Sequence, residues 1–129
     1  YAYREAPYVF KRNGIYYFHW SVDDTGSPNH HVAYGTSKSP LGPIEVAEQP
    51  VILIQRPDAE IYGPAHNSVL QIPGTDEWYF VYHRINKNFI NRDKGPGWHR
   101  EVCIDKMEFD EDGNIKPTIP TQKGVKAIK

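Results

Sequence analysis

The sequence predicts an all-β chain, and three observations predict it. Nine tyrosines, five phenylalanines and three tryptophans stand with eleven prolines and ten glycines among 129 residues, a mixture that favours short strands and frequent turns over helices. Between Tyr8 and Asp112 no long run places apolar residues at helical spacing, and no N-cap opens one. Aromatic and β-branched runs are instead cut by turn chemistry at Arg12-Asn13-Gly14, Asp24-Thr25-Gly26, Pro73-Gly74-Thr75-Asp76 and Glu111-Asp112-Gly113-Asn114.

Taken in order, strands are expected over residues 7–11, 15–22, 31–36, 68–72, 78–84, 101–109 and 115–118, with a shorter one at 44–46. A faint internal repeat organises them. The first half reads Glu5-Ala6-Pro7-Tyr8-Val9-Phe10, a turn, Gly14-Ile15-Tyr16-Tyr17-Phe18-His19-Trp20, a loop and His31-Val32-Ala33-Tyr34-Gly35-Thr36. The second reads Ala65-His66-Asn67-Ser68-Val69-Leu70, a turn, Glu77-Trp78-Tyr79-Phe80-Val81-Tyr82-His83, a longer loop and Arg100-Glu101-Val102-Cys103-Ile104-Asp105-Lys106. With 44–46 and 115–118 as fourth strands, the chain forms two four-stranded antiparallel blades, the repeating unit of a β-propeller. Two blades cannot close a ring, so further blades of the same propeller, or another chain, are expected to complete it. The start at Tyr1, without a methionine, fits sequence preceding it.

Charge excludes some classes of partner. Fifteen basic against sixteen acidic residues leave a net charge of −1, and no basic run offers a footprint for nucleic acid or an anionic membrane. No apolar stretch is long enough to span a bilayer as a helix. Cys103, the only cysteine, lies in an alternating strand and reads as a buried small hydrophobe. An aromatic-rich β chain of near-neutral charge suits an uncharged substrate such as a sugar, whose apolar ring face packs on aromatic side chains.

Five motifs in order carry a family resemblance. They are Glu5-Ala6-Pro7-Tyr8-Val9-Phe10 with Asn13-Gly14-Ile15-Tyr16-Tyr17-Phe18; Tyr34-Gly35-Thr36-Ser37-Lys38-Ser39-Pro40-Leu41-Gly42-Pro43; Gly63-Pro64-Ala65-His66-Asn67-Ser68; Tyr82-His83-Arg84; and Arg100-Glu101-Val102-Cys103-Ile104-Asp105. Together they resemble the C-terminal portion of family 43 glycoside hydrolases. The resemblance implies a five-bladed propeller, of which residues 1–129 supply about two blades and the earlier blades are missing. It also implies hydrolysis, with inversion, of arabinofuranosyl or xylosyl linkages in plant polysaccharide. Arabinofuranosidase is the first expectation and β-xylosidase the second. A parent enzyme acting on such substrates is expected to be secreted or periplasmic.

The resemblance assigns roles by position. Glu5, which opens the innermost strand, is the general acid that protonates the leaving-group oxygen. The base carboxylate that activates water, and a third acidic residue that tunes the acid, belong to earlier blades. His66 is placed near the propeller axis, where it supports a hydrated calcium ion, directly or through water, although calcium prefers oxygen donors. Arg100 contacts the sugar, its donor fork suiting vicinal hydroxyls. Trp20, and Trp98 beside it in kind, offer rings for stacking on sugar, against the commoner role of packing.

Other polar residues read as structural. His83 and Arg84 end an aromatic strand and are expected to pack and hydrogen-bond in support of the site. Asp23-Asp24 and Asp110-Glu111-Asp112 lie in turns. His30-His31 lacks companions at metal-ligand spacing and is set aside. The loop 86–97 is the longest polar insertion and is expected to shape subsites. Two other classes stay open: a non-catalytic sugar-binding propeller, and a retaining relative of the fructan-cleaving propellers. In the latter a Glu-Cys-Pro segment holds the acid, whereas Ala6 follows Glu5 here.

Overall fold

The computed structural model describes residues 2–89 and 98–127. Seven strands form: β1 (Glu5–Arg12), β2 (Ile15–Val22), β3 (His31–Ser37), β4 (Glu45–Leu53), β5 (Tyr62–Gln71), β6 (Trp78–Ile85) and β7 (Arg100–Met107). Single-turn 3₁₀ segments lie at Pro57–Ala59 and Lys87–Phe89. The strands make two antiparallel sheets, one ordered β1-β2-β3-β4 and one ordered β5-β6-β7. The chain is all-β, as its composition requires.

The turns work as their residues dictate. Asn13 and Gly14 both adopt left-handed backbone, which lets a two-residue connection join Arg12 to its pairing partner Ile15. At Gly35 the constraint is space rather than angle: a Cβ there would lie 2.6 Å from the Glu45 carbonyl oxygen of the neighbouring strand. Only glycine allows β3 and β4 to approach so closely.

Two expectations need correction. The fourth strand of the first blade is longer than 44–46, running from Glu45 to Leu53 with shifts of register against β3. The second blade has three strands, because 115–118 does not pair with β7. Ile115 makes an isolated bridge to Phe109, and the Thr118 amide donates to the Ile52 carbonyl of the first blade at 2.8 Å. Pro117 and Pro120 have no amide hydrogen to give a ladder, so this segment straps the two sheets together.

The faces between the sheets form the core. Phe10 stacks on Tyr17 at 5.0 Å and packs on Trp78 at 5.1 Å, and His19 lies against Phe80 at 5.4 Å. Val32, Ile52, Ala65 and Phe80 are fully buried beside them. Each core tyrosine finds a polar partner. The Tyr17 hydroxyl donates to the Gly113 carbonyl at 2.5 Å, the Tyr34 hydroxyl accepts from the Ile115 amide at 3.1 Å, and the Tyr82 hydroxyl donates to Asp105 at 2.6 Å. Asp105 also takes the Thr121 hydroxyl and amide, which pins the C-terminal segment to β7.

The outer faces are different. Leu70, Val102 and Ile104 on the second sheet and Val9 on the first are exposed. Alternation along the strands sets them opposite the inward residues Val69, Cys103 and Phe10.

Candidate active site

One end of the two-sheet sandwich gathers Glu5 and three histidines. There the strands β1 and β5 both bulge: pairing with β2 shifts register between Glu5 and Tyr8, and pairing with β6 shifts between Tyr62 and Ser68. The bulges rest on left-handed residues, Ala6 at φ 58° and His66 at φ 53°. Neither is a glycine, so each position stores strain of the kind found at ligand sites. By backbone conformation Ala6 and His66 are the repeat equivalents, and Glu5 corresponds to Ala65. The sequence repeat places Glu5 and His66 near each other, and the bulges are what aim both side chains to one point.

That point is narrow. The Glu5 carboxylate lies 3.7 Å from His30 Nε2 and 3.9 Å from His66 Nδ1. His83 completes the group, its ring 5.5 Å from both the His30 and the His66 rings. Glu5 and His66 are about half exposed, whereas His30 is fully buried. Ser21, opposite Glu5 in the β1–β2 register, accepts the His66 amide through its Oγ at 2.9 Å. The first blade thereby fixes the bulge of the second.

The connection that delivers His30 is itself anchored. Asp23 accepts from the Asp24 amide, the Ser27 hydroxyl and the Asn29 side chain, so the turn carboxylates are turn-formers, as their setting predicts. The Gly63 amide donates to the Pro28 carbonyl at 2.8 Å. Gly63 sits at φ 59°, where a Cβ would meet the Ser27 carbonyl and Ile85 at 3.0 Å; glycine lets β5 touch this loop.

Burial controls the charge of the histidines. His83 falls to about 3, first through desolvation and then through repulsion from Arg100, His30 and His66. His30 is also lowered, again chiefly by burial, against partial support from the Asp23 and Val22 carbonyls and from Glu5. His19, one step further into the core, falls to about 3 because it is buried, while Asn67 Nδ2 bonds its Nδ1 at 2.9 Å. These rings are neutral at neutral pH. His30 Nε2 and His83 Nε2 are buried without a hydrogen-bond partner, an uncommon condition outside functional sites.

Arg100 is exposed and donates to the Thr25 hydroxyl at 2.8 Å. Its sequence neighbours are otherwise engaged: Glu101 takes Arg84 at 2.7 Å and Asp105 takes Tyr82. The charge of Arg100 is felt at His83, whose protonation it opposes. Trp20 requires correction. It is 9% exposed, packed across from Ala33 in the first sheet, and has too little free ring to stack on a sugar. Trp98 is 76% exposed. Residues 90–97 of the long polar loop lie outside the described residues. His30, set aside on spacing, proves central, because a fold can bring single histidines together from two separate strands and a loop.

Calcium fits this cluster poorly. One carboxylate and three imidazoles are not the oxygen cage that the ion prefers, and among the described residues no group of three His, Cys, Asp or Glu side chains converges as a metal site. A cation held near His66 would need oxygen donors from elsewhere and would reach the ring through water.

Comparison with known proteins gives a consistent picture. The family model for glycosyl hydrolases family 43 matches residues 1–115. A β-D-galactofuranosidase of Aspergillus niger is 42% identical over 124 residues, covering 96% of this chain and 34% of its own length. A xylosidase/arabinosidase of Bacteroides ovatus is 30% identical over 112 residues, covering 86% and 29%. Among solved structures, a thermostable family-43 glycoside hydrolase superposes with a TM-score of 0.78 at 36% identity, over 92% of this chain and 36% of that one. The chain spans about a third of the length of the curated relatives that it matches.

Proposed function

This chain belongs to glycosyl hydrolases family 43, and on that premise we propose that it supplies the acid half of an inverting glycosidase active site, with Glu5 as general acid. Glu5 gives its proton to the glycosidic oxygen as the bond to the anomeric carbon lengthens. Water attacks the opposite face of the sugar and loses its proton to a base carboxylate held outside these two blades. Arg100 binds hydroxyls of the sugar being released. The single observation that supports this reading most is the convergence of Glu5, His30 and His66 at two strained bulges.

The substrate class is a glycoside of a plant polysaccharide, an arabinofuranoside before a xyloside. Curated relatives that bear both xylosidase and arabinosidase names support that class, and the first relative, a galactofuranosidase, supports a five-membered ring. Apolar outer faces at Leu70, Val102, Ile104 and Val9 support further blades on either side, since uncovered sheet faces of this kind call for a partner. A polysaccharide substrate places the parent protein outside the cytoplasm, secreted or periplasmic.

The test is made on the complete propeller. Glu5→Gln should slow cleavage of glycosides with poor leaving groups by roughly 10²–10⁴-fold and cleavage of activated aryl glycosides far less. Equal losses on both would remove Glu5 from the acid role, and no glycosidase activity at all in the complete protein would favour a sugar-binding propeller. The purified 129-residue chain alone should turn over neither substrate, because on this reading the base belongs to earlier blades.

A further inference from the structure

His30 is the one member of the cluster with no solvent access, and it has an unmet hydrogen-bonding atom aimed at Glu5. Its Nδ1 lies 3.1 Å from both the Val22 and the Asp23 carbonyl oxygens. Carbonyl oxygens only accept, so Nδ1 must carry the hydrogen, and the neutral ring then presents Nε2 as a bare lone pair. That lone pair is 3.7 Å from a Glu5 oxygen, a gap that a small rotation of the carboxyl closes in a more complete site.

We propose, building on the acid role of Glu5, that His30 is its positioning residue: Nε2 accepts the O–H of the protonated Glu5 carboxyl and so favours the acid form between turnovers. A carboxylate facing the same lone pair gains no hydrogen bond and suffers repulsion, so the preference runs one way. On arrival of substrate the O–H turns from Nε2 to the glycosidic oxygen. The carboxyl O–H bond breaks as the leaving group's O–H forms, the electron pair of the cleaved C–O bond stays on that leaving oxygen, and Glu5 is left as carboxylate. His30 remains neutral throughout, its Nδ1 hydrogen held by the two carbonyls. Glu5 then regains a proton from solvent, favoured again by the waiting Nε2.

The surroundings keep His30 in that state. It faces Glu5 from β1, His66 from β5 and His83 from β6, while Arg100 of β7 acts on His83, and Asp24, paired with Arg4, lies on its own loop. A proton on His30 would sit where water does not reach, and the Asp23 and Val22 carbonyls with Glu5 only partly offset that cost.

Two measurements on the complete propeller test this. In the unmodified protein, ¹⁵N NMR of the His30 ring should report a hydrogen on Nδ1 and none on Nε2 across the neutral range; a hydrogen on Nε2 would overturn the proposal. In His30→Phe, which keeps a flat ring without the acceptor, the alkaline limb of the kcat/KM profile should move to lower pH by about one unit. Cleavage of poor leaving groups at neutral pH should then fall by about tenfold, with a smaller loss on activated aryl glycosides. An unmoved alkaline limb with wild-type discrimination between the two substrates would sink the idea. If Glu5→Gln behaves as an acid variant and His30→Phe does nothing, only this inference falls; if Glu5→Gln loses equally on both substrates, the acid reading falls first. Should His30→Phe fail to fold, the ring nitrogen spectrum of the unmodified protein decides alone.

Discussion

Tyr17 and His19 stand two residues apart on the same face of β2, and between them the chemistry of the molecule changes. Around Tyr17 the inter-sheet core is closed: its hydroxyl, those of Tyr34 and Tyr82, and the Trp78 indole all have partners. From His19 towards Ser21 the interface turns to histidine. His19 Nε2, Asn67 Oδ1, His30 Nε2 and His83 Nε2 are buried there without partners, and Thr118 Oγ1 in the C-terminal strap is the only other such atom among the described residues. The left-handed Ala6 and His66 lie at the same end. The same strands build both regions, so the difference is not one of fold. A core optimised for stability satisfies its polar atoms, whereas a site keeps unmet ones that a ligand or a neighbouring carboxyl can use.

The comparison would break first in the core. Phe80→Ala removes a fully buried ring packed on His19 and should cost about 3–5 kcal/mol, read as a loss of denaturant midpoint in the folded propeller. A cost under about 1 kcal/mol would mean that the core is not the seat of stability.

Acid should act on the other region. His19 and His83 both fall from 6.5 to about 3 in the folded chain, so the unfolded chain binds more protons between those limits. Stability contributed by the neutral rings is therefore present above about pH 6.5 and lost as pH falls towards 3. The loss from His19, which is 1% exposed, should be on the order of 5 kcal/mol. Unfolding followed across that window in the wild type and in His19→Gln checks it, the variant being the less acid-sensitive of the two. Equal slopes would place the acid response elsewhere.

Why one region was legible in the sequence and the other only in part follows from the same contrast. The core strands were readable because aromatic and β-branched runs and Asn-Gly turns act locally, and each agrees with its neighbours. The nearness of Glu5 and His66 is legible through the repeat and the motifs. His30 is not, since its role depends on a loop held by Asp23 and by Gly63 of the other blade, neither of which announces a partner in sequence. Trp20 misled because an aromatic residue at a strand end reads alike whether its ring meets sugar or packs within its own sheet. The strap at 115–118 misled for a related reason. Its alternation suits a strand, but Pro117 removes a ladder donor and the Thr118 amide donates to the Ile52 carbonyl instead.

The finest test of the contrast is His83→Leu. His83 is partly buried, holds an unpartnered Nε2 and stays neutral only because protonation is opposed by burial and by Arg100. An apolar side chain of similar size no longer bears the cost of that orphaned nitrogen, so the variant should be as stable as the wild type or more stable by up to about 1 kcal/mol at neutral pH. The ring also lies 5.5 Å from those of His30 and His66, so hydrolysis in the complete propeller should fall while stability holds or rises. Such opposite signs are the mark of a residue kept for the site rather than for the fold. A loss of stability comparable to that of a core substitution would instead place His83 with Phe80, as packing, and would move the boundary between the two regions one residue closer to Glu5.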